Sequence, residues 1–379
     1  MQQAPNLQNN RHGLDHLQPQ SERVLLVGVD FHIADFDNAL EEAKDLIAAV
    51  EGDLVDVVTC KRAKPNAALF VGTGKAQEIG ALVQAQQIDL VVFNHELTPT
   101  QERNLEQAMQ CRVLDRVGLI LAIFAKRAQS QEGKLQVELA QLTHLSSRLV
   151  RGYKHLSSQR GGIGMKGPGE TQLETDRRLI VNKIARLQAR LKDVKKQRAT
   201  QRKGRGKSGL KTFALVGYTN AGKSSLFNRL TKSEVFAADQ LFATLDPTAR
   251  RLYLSPEASI ILTDTVGFVR DLPHSLVAAF SATLEETAMA DVLLHVVDVS
   301  NEDHERQMAD VDAVLAKIGA TDVPQLLVYN KMDLVPEALR LPMGQVRGAD
   351  DMLLGVRVSI KNGDGLDDLR AAMIELAND

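Results

Sequence analysis

The stretch from Phe213 to Leu230 constrains the fold of this chain more than any other part of its sequence. Phe213 to Val216 is a continuous apolar run, typical of a strand buried on both faces, and a helical pattern of apolar residues fills 223–230. The loop where they meet has the form G-x-x-x-x-G-K-S and comprises Gly217, Tyr218, Thr219, Asn220, Ala221, Gly222, Lys223 and Ser224. This order of strand, loop and helix predicts a phosphate-binding loop in an α/β domain.

The predicted loop has the groups needed to bind a nucleoside triphosphate. Its glycines let backbone N–H groups turn inward around phosphate, and the helix N-terminus adds partial positive charge. We expect Lys223 to contact the β- and γ-phosphates and the Ser224 hydroxyl to bind Mg²⁺. A second motif of the form D-x-x-G follows the predicted strand Ser259 to Leu262 and comprises Asp264, Thr265, Val266 and Gly267. Asp264 is expected to hold Mg²⁺ through water, and the Gly267 N–H to contact the γ-phosphate.

A third motif predicts which base the nucleotide carries. It comprises Asn330, Lys331, Met332 and Asp333 and follows the apolar strand Leu326 to Tyr329. It resembles the guanine-reading motif of GTPases. Asp333 can accept hydrogen bonds from the guanine N1–H and 2-amino group, and adenine lacks those donors. Ser359, Ile360 and Lys361 stand where such proteins carry Ser-Ala-Lys behind the guanine. Ile360 departs from that pattern and should leave binding largely intact, although its side chain could crowd the base.

A candidate switch segment lies between the phosphate loop and Asp264. Its nucleotide-contacting residues are predicted to be Phe242, Ala243, Thr244, Leu245 and Asp246. Thr244 is our choice for the second hydroxyl on Mg²⁺, ordered only by GTP, and Thr248 is the rival candidate. The alternative interpretation of this threonine is an ordinary surface loop residue. The predicted metal ligands are thus Ser224 and Thr244, and the predicted catalytic residues are Lys223, Thr244 and Gly267.

Two residues near the phosphates bear on the rate of hydrolysis. Phe268 stands where Ras-like GTPases place a Gln that orients the attacking water, and a phenyl ring cannot orient water. Intrinsic hydrolysis is therefore expected to be slow, with a partner or another residue completing the site. Asn220 occupies the place where some K⁺-activated GTPases bind the activating cation, so K⁺ is a second cofactor hypothesis beside Mg²⁺.

The rest of the chain predicts three further regions before the GTPase domain at 210–379. Residues 1–20 are rich in Gln and Asn and are expected to be disordered, and alternating strand and helix patterns predict an α/β domain with a mainly parallel sheet at 21–128. Heptad-spaced apolar residues predict an antiparallel helical hairpin within 129–209. Gly72-Thr73-Gly74-Lys75 lacks the full spacing of a second phosphate loop and is interpreted as a tight turn.

The predicted hairpin has a Gly-rich tip at 161–169 and is followed by a basic run at 192–211. The tip could be a flexible turn, but its length and Lys166 suggest contact with an anion. The basic run contains nine Lys or Arg residues against the single acid Asp193. It could be a solvated face with a linker, or a surface that binds the RNA backbone. No secretory signal, lipidation motif or membrane-length apolar run is present, and the two cysteines lack metal-ligand spacing.

The chain resembles the HflX family, which belongs to the translation-factor-related GTPases with a hydrophobic substitution at the Gln position. The resemblance is carried by Gly162-Ile163-Gly164, by the run from Gly167 to Arg178, and by the segments Gly72–Lys75, Asn94–Leu97 and Leu135–Leu142. It implies a bacterial GTPase that binds the large ribosomal subunit, with the N-terminal domain and hairpin on ribosomal RNA, and that splits stalled ribosomes under stress. A cytoplasmic location is expected from the missing secretory signal and membrane-length apolar run. The alternative is a GTP-gated assembly or silencing factor that binds without splitting. We expect a monomer with no membrane partner.

Overall fold

The computed structural model describes residues 21–32, 35–152, 177–194, 196, 209–232, 241–242, 244–270 and 281–378. Several predictions concern residues outside these ranges. These predictions concern the disorder expected for residues 1–20, the Gly-rich tip at 161–169, most of the basic run at 192–211, and Ala243 of the switch segment.

The N-terminal region forms a four-stranded parallel sheet in the order β2-β1-β3-β4. Its strands are β1 (Arg23–Asp30), β2 (Asp53–Lys61), β3 (Leu90–Phe93) and β4 (Arg112–Leu114), and its helices are α1 (Phe36–Ala49), α2 (Thr73–Gln86), α3 (Pro99–Met109) and α4 (Arg116–Arg127). β1 and β3 are apolar along most of their length because helices cover both faces of the sheet. Helix α3 begins with the capping box that Thr98 and Gln101 form.

The segment around Gly72 is a helix start. Gly72 has φ +89° and immediately precedes α2, and Lys75 forms an ion pair with Glu78 at 2.8 Å. The positive φ explains the glycine, since a side chain is strained in this conformation. The two cysteines, Cys60 and Cys111, are free and half-buried, and burial raises the pKa of both thiols.

Two helices follow, α5 (Gln131–Gly152) and α6 (177–194). Their contact is a cluster of leucines in which Leu135 and Leu139 of α5 pack with Leu187 and Leu191 of α6. An ion pair of 2.7 Å between Lys183 and Glu138 also joins the helices. Leu145, six residues beyond Leu139 on α5, is 45 % exposed, so the closely packed part of the contact ends before it.

The C-terminal region is a seven-stranded sheet in the order β10-β11-β9-β8-β5-β7-β6, in which only β10 and β6 run antiparallel to their neighbours. Its strands are β5 (Thr212–Val216), β6 (Thr248–Tyr253), β7 (Ser259–Asp264), β8 (Val292–Asp298), β9 (Gln325–Asn330), β10 (Gly344–Arg347) and β11 (Leu353–Arg357). Its helices are α7 (Lys223–Thr231), α8 (Ser281–Ala288), α9 (His304–Lys317) and α10 (Leu366–Asn378). The predicted α/β fold class is confirmed.

The core is continuous between the two sheets. One cluster of buried residues contains Leu26 and Val92 of the first sheet together with Phe242, Leu245 and Phe268 from loops of the second. Among the described residues, no helix combines the length and apolarity needed to cross a bilayer.

Candidate nucleotide-binding site

The predicted phosphate loop leaves the carboxyl end of β5, a central strand of the second sheet, and leads directly into α7. Gly217 has φ +144°, and a Cβ there would lie 2.3 Å from the carbonyl oxygen of Val296. Gly222 has φ +100°, and a Cβ there would lie 2.4 Å from Nδ2 of Asn330. The two glycines are therefore required both by backbone conformation and by space. Asn220 also has a positive φ, 60°, and is exposed.

The Lys223 side chain runs back across this loop and is only 6 % exposed. Its ammonium donates to the carbonyl oxygens of Gly217, at 3.0 Å, and Tyr218, at 2.7 Å. Burial lowers the pKa of Lys223 to about 8, and the nearby Asp264 carboxylate opposes that shift. A cation held in this way at a helix N-terminus is placed to attract phosphate.

Three oxygen-bearing side chains meet beside Lys223. Ser224 Oγ lies 2.8 Å from Thr244 Oγ1, and both hydroxyls lie 2.8 Å from Asp264 Oδ2. Thr244 is buried and Asp264 is fully buried. Burial raises the pKa of Asp264, against the hydrogen bonds from Ser224 and Thr244. Thr248, the rival candidate, begins β6 and is the ladder partner of Asp264.

This oxygen cluster suits Mg²⁺, a hard cation that prefers oxygen ligands. The other Asp264 oxygen, Oδ1, is buried without a hydrogen-bond partner in the described part of the chain. Such an atom is costly unless a ligand or water satisfies it. The same described residues contain no group of three or more His, Cys, Asp or Glu side chains that could bind a metal.

The D-x-x-G segment lies against the phosphate loop. The Phe268 N–H donates to the Gly217 carbonyl at 3.1 Å, and the Phe268 carbonyl accepts from the Thr219 N–H at 2.7 Å. Gly267 is packed so closely that a Cβ would lie 2.8 Å from Cγ2 of Thr219 and 3.1 Å from Nζ of Lys223. The Phe268 ring is completely buried in the core. It therefore presents no polar group to a water molecule at the phosphates.

The two residues after Asp264 are also buried. The Thr265 hydroxyl donates to the Leu215 carbonyl at 2.5 Å, and Val266 belongs to the core. Their side chains are thus directed into the protein and fix the path of the segment.

The predicted guanine motif and the segment at 359–361 come together at the end of β9. Asn330 donates from Nδ2 to the Ala221 carbonyl at 2.8 Å and accepts the Ile360 N–H at 3.2 Å. Asp333 Oδ1 accepts from the buried Ser359 hydroxyl at 2.7 Å, which fixes the orientation of the carboxylate.

The remaining residues of the guanine motif are placed around this pair. Lys331 has φ +63° and its ammonium lies 2.7 Å from Asp298 Oδ2, while Met332 is buried. The Ile360 side chain packs in the core together with Ala221 of the phosphate loop. It therefore points into the protein and not toward the position expected for the base. Lys361 is exposed.

The switch segment has contacts that the sequence patterns did not predict. Phe242 packs edge-on against Phe124 of α4, with ring centroids 4.7 Å apart. The Asp246 carboxylate accepts hydrogen bonds from the N–H groups of Gln129 and Ser130, so it faces α5 and not the phosphate loop.

Other missed residues surround Tyr218. Its hydroxyl donates to Glu42 of α1 at 2.8 Å and accepts the Arg270 N–H at 2.8 Å, and Glu42 is paired with Arg116 at 3.0 Å. The Arg270 side chain forms an ion pair with Asp35. These partners are between 52 and 235 positions apart in the chain, and no short-range motif marks them.

Family profiles match three consecutive parts of the chain. They describe the N-terminal region of GTP-binding GTPases at residues 37–125, the middle region of the same proteins at 127–205, and a 50S ribosome-binding GTPase at 212–331. A solved structure described as the complex of SsGBP and GDP is 23 % identical, with a TM-score of 0.51, and the alignment covers 94 % of this chain and 98 % of that one. That likeness concerns the fold.

Two relatives give the family. GTPase HflX of Caldanaerobacter subterraneus subsp. tengcongensis is 46 % identical over 360 residues, covering 95 % of this chain and 82 % of that protein. GTPase HflX of Escherichia coli strain K12 is 52 % identical over 316 residues, covering 83 % of this chain and 74 % of that protein. The resemblance seen in the sequence is thereby confirmed, and the chain belongs to the HflX family of enzymes that hydrolyse GTP.

Proposed function

We propose that the enzyme hydrolyses GTP with Mg²⁺ held between the phosphates and the hydroxyls of Ser224 and Thr244. The observation that carries this proposal is the meeting of Ser224, Thr244 and Asp264 at 2.8 Å from one another, next to the buried ammonium of Lys223. Mg²⁺ bound there would neutralise charge on the β- and γ-phosphate oxygens. Lys223 would exchange its two loop carbonyls for phosphate oxygens, and the Gly267 N–H would contact the γ-phosphate. Asp264 would hold Mg²⁺ indirectly, by accepting a hydrogen bond from a water molecule bound to the ion.

Guanine selection is assigned to Asp333, oriented by Ser359. The carboxylate would accept from N1–H and the 2-amino group of guanine, whereas adenine has no donors at these positions. Calorimetric titration with Mg²⁺ present should show GTP preferred over ATP by at least about a thousandfold. Asp333→Asn should lower the affinity for GTP and raise the affinity for xanthosine triphosphate, because the amide can donate a hydrogen bond to the xanthine 2-oxo group. Equal affinity for GTP and ATP would refute this assignment.

Slow intrinsic hydrolysis is part of the proposal, because the buried Phe268 ring cannot orient water. Single-turnover hydrolysis should accelerate on addition of ribosomes, and rapid turnover of the isolated protein would contradict this idea. Asn220 is proposed to bind an activating K⁺. Comparison of rates in KCl and NaCl at equal ionic strength tests it, and equal rates would exclude the K⁺ role.

The partner is proposed to be the large ribosomal subunit, with splitting of stalled ribosomes as the outcome. Support comes from family membership and from the match of residues 212–331 to the family of 50S ribosome-binding GTPases. Light scattering of intact ribosomes with the protein and a non-hydrolysable GTP analogue is the decisive measurement. A fall in scattering supports splitting, while sedimentation of the protein with intact ribosomes would favour the assembly or silencing alternative.

A further inference from the structure

The switch segment around Thr244 is attached on both sides to parts of the chain outside the GTPase domain. On one side, the buried Phe242 ring packs against Phe124 of α4 at a centroid distance of 4.7 Å. On the other side, Leu245 is 2 % exposed and belongs to the core that both sheets share. Thr244 therefore sits on a short bridge between two anchors, and its position depends on them.

A third anchor is Asp246, which lies at the N-terminus of α5. Its Oδ2 accepts hydrogen bonds from the N–H groups of Gln129, at 2.9 Å, and Ser130, at 2.7 Å. Its Oδ1 accepts from the Ser130 hydroxyl at 2.5 Å. A carboxylate with three donors at a helix N-terminus is a charge-assisted cap, about twice as strong as a neutral hydrogen bond.

Two neighbouring residues make this anchor stiff. Pro247 restricts Asp246 to an extended backbone, so the carboxylate cannot move freely relative to Thr244. Gly133 of α5 is packed against the same carboxylate, where a Cβ would lie 2.2 Å from Asp246 Oδ1. The first turn of α5 and the switch segment are therefore in direct contact through this carboxylate.

We propose that Asp246 is a positioning residue for the GTPase reaction. It fastens the switch segment to the first turn of α5, so that the Thr244 hydroxyl reaches Ser224 and Asp264 only while α5 keeps this orientation. The inference rests on the proposed role of Thr244 as a ligand of Mg²⁺. Because coupling is reciprocal, a partner that reorients the helical hairpin changes the affinity for Mg²⁺ and GTP, and bound Mg²⁺ and GTP hold the hairpin in place.

The test compares the full chain with its Asp246→Asn variant. The probe is a fluorescent non-hydrolysable GTP analogue, and the readout is the Mg²⁺ concentration at half-saturation of binding. Losing charge-assisted hydrogen bonds should raise that concentration about three- to tenfold. The affinity for GDP should change by less than about twofold, since the switch threonine ligates the metal only in the triphosphate state. An unchanged Mg²⁺ requirement would overturn the inference.

Three further variants separate the alternatives. Arg306→Ala removes a different contact to the N-terminal domain, the 2.5 Å ion pair with Asp35, and should leave the Mg²⁺ requirement unchanged. An equal shift in Arg306→Ala and Asp246→Asn would also overturn the inference, because it would reflect general loosening of the domains. Ser130→Ala removes one of the three donors to Asp246 and should raise the Mg²⁺ requirement by a smaller factor. It replaces Asp246→Asn in the test if that variant does not fold.

Thr244→Ala distinguishes failure of this inference from failure of the proposed function. A shift in Thr244→Ala without one in Asp246→Asn rejects only the positioning role. No shift in Thr244→Ala rejects the metal assignment itself, and the positioning role with it.

Discussion

Asn330 donates a hydrogen bond from its side-chain amide to the Ala221 carbonyl oxygen, 2.8 Å away, in the interior of the GTPase domain. The bond joins the guanine motif to the phosphate loop, although the two residues are 109 positions apart in the chain. Asn330→Asp would replace this donor with a charged acceptor that faces a carbonyl. We expect the affinities for GTP and GDP to fall together, by about ten- to a hundredfold, as measured by titration calorimetry.

A suitable control for Asn330→Asp is Leu334→Ala, at a side chain in the same loop that is 57 % exposed. It should bind both nucleotides like the unaltered protein. If Asn330→Asp lost affinity for GTP alone, the residue would be acting at the γ-phosphate and not as a tie between the two loops.

Gly217 and Gly74 offer a matched pair of glycine-to-alanine substitutions. At Gly217 the added Cβ would lie 2.3 Å from a backbone oxygen, at φ +144°, whereas at Gly74 it would meet nothing within 4 Å. Gly217→Ala should therefore destabilise the fold by several kcal/mol or prevent nucleotide binding. Gly74→Ala, in the first turn of α2, should be neutral or stabilise by up to about 1 kcal/mol.

Urea unfolding and GTP binding of the two glycine variants provide the measurement. Loss of GTP binding in Gly74→Ala would show that Gly72-Thr73-Gly74-Lys75 takes part in nucleotide binding after all. A stable, GTP-binding Gly217→Ala protein would contradict the close approach of Val296.

The phosphate loop is the part of the site that the sequence could predict best. A phosphate loop needs particular residue types at fixed spacing, between a buried strand and a helix, so Gly217 to Ser224 could be located from local pattern alone. The meeting of Ser224 with Thr244 and Asp264 follows from the order of the strands, because β5 and β7 are parallel neighbours.

Contacts between the two sheet domains could not be predicted in the same way. Asp246 looks like any other acid before a proline, and its role as a cap of α5 depends on how the domains pack. Tyr218 lies inside the predicted loop, yet its hydroxyl bonds to Glu42, 176 positions away. Hydrophobic periodicity and motif spacing carry no information on such pairs.

We expect His295 on β8 to make the stability of the protein depend on pH. It is 2 % exposed, and burial lowers its pKa from 6.5 to about 4, against the raising effects of Asp312 and Gln325. The unfolded chain therefore takes up a proton below pH 6.5 that the folded protein does not. The contribution of the neutral imidazole is complete above pH 6.5 and is lost as the pH falls from 6.5 to 4, by about 3 kcal/mol in all.

The pH dependence is measured as the free energy of unfolding in urea at several pH values between 7 and 4. His295→Gln should lack this part of the dependence, so the stability difference between the two proteins should change across that window. Parallel pH profiles would show that His295 titrates normally in the folded protein.

Tyr218 and Glu42 allow the contact between the phosphate loop and the N-terminal domain to be measured. The Tyr218 hydroxyl donates to Glu42 Oε1 and accepts the Arg270 N–H, both at 2.8 Å, and Arg116 holds the other Glu42 oxygen at 3.0 Å. Tyr218→Phe should destabilise the protein by about 1 to 3 kcal/mol, because a buried donor and acceptor lose their partner.

A double-mutant cycle with Glu42→Gln tests whether this cost belongs to the pair. The coupling energy between Tyr218→Phe and Glu42→Gln should be about 1 kcal/mol, because Tyr218→Phe removes the hydrogen bond and Glu42→Gln removes the charge that strengthens it. Tyr253→Phe is the matched control: Tyr253 is 65 % exposed on β6, and its hydroxyl should be dispensable to within about 0.5 kcal/mol. Additive effects of Tyr218→Phe and Glu42→Gln would mean that the two side chains act independently.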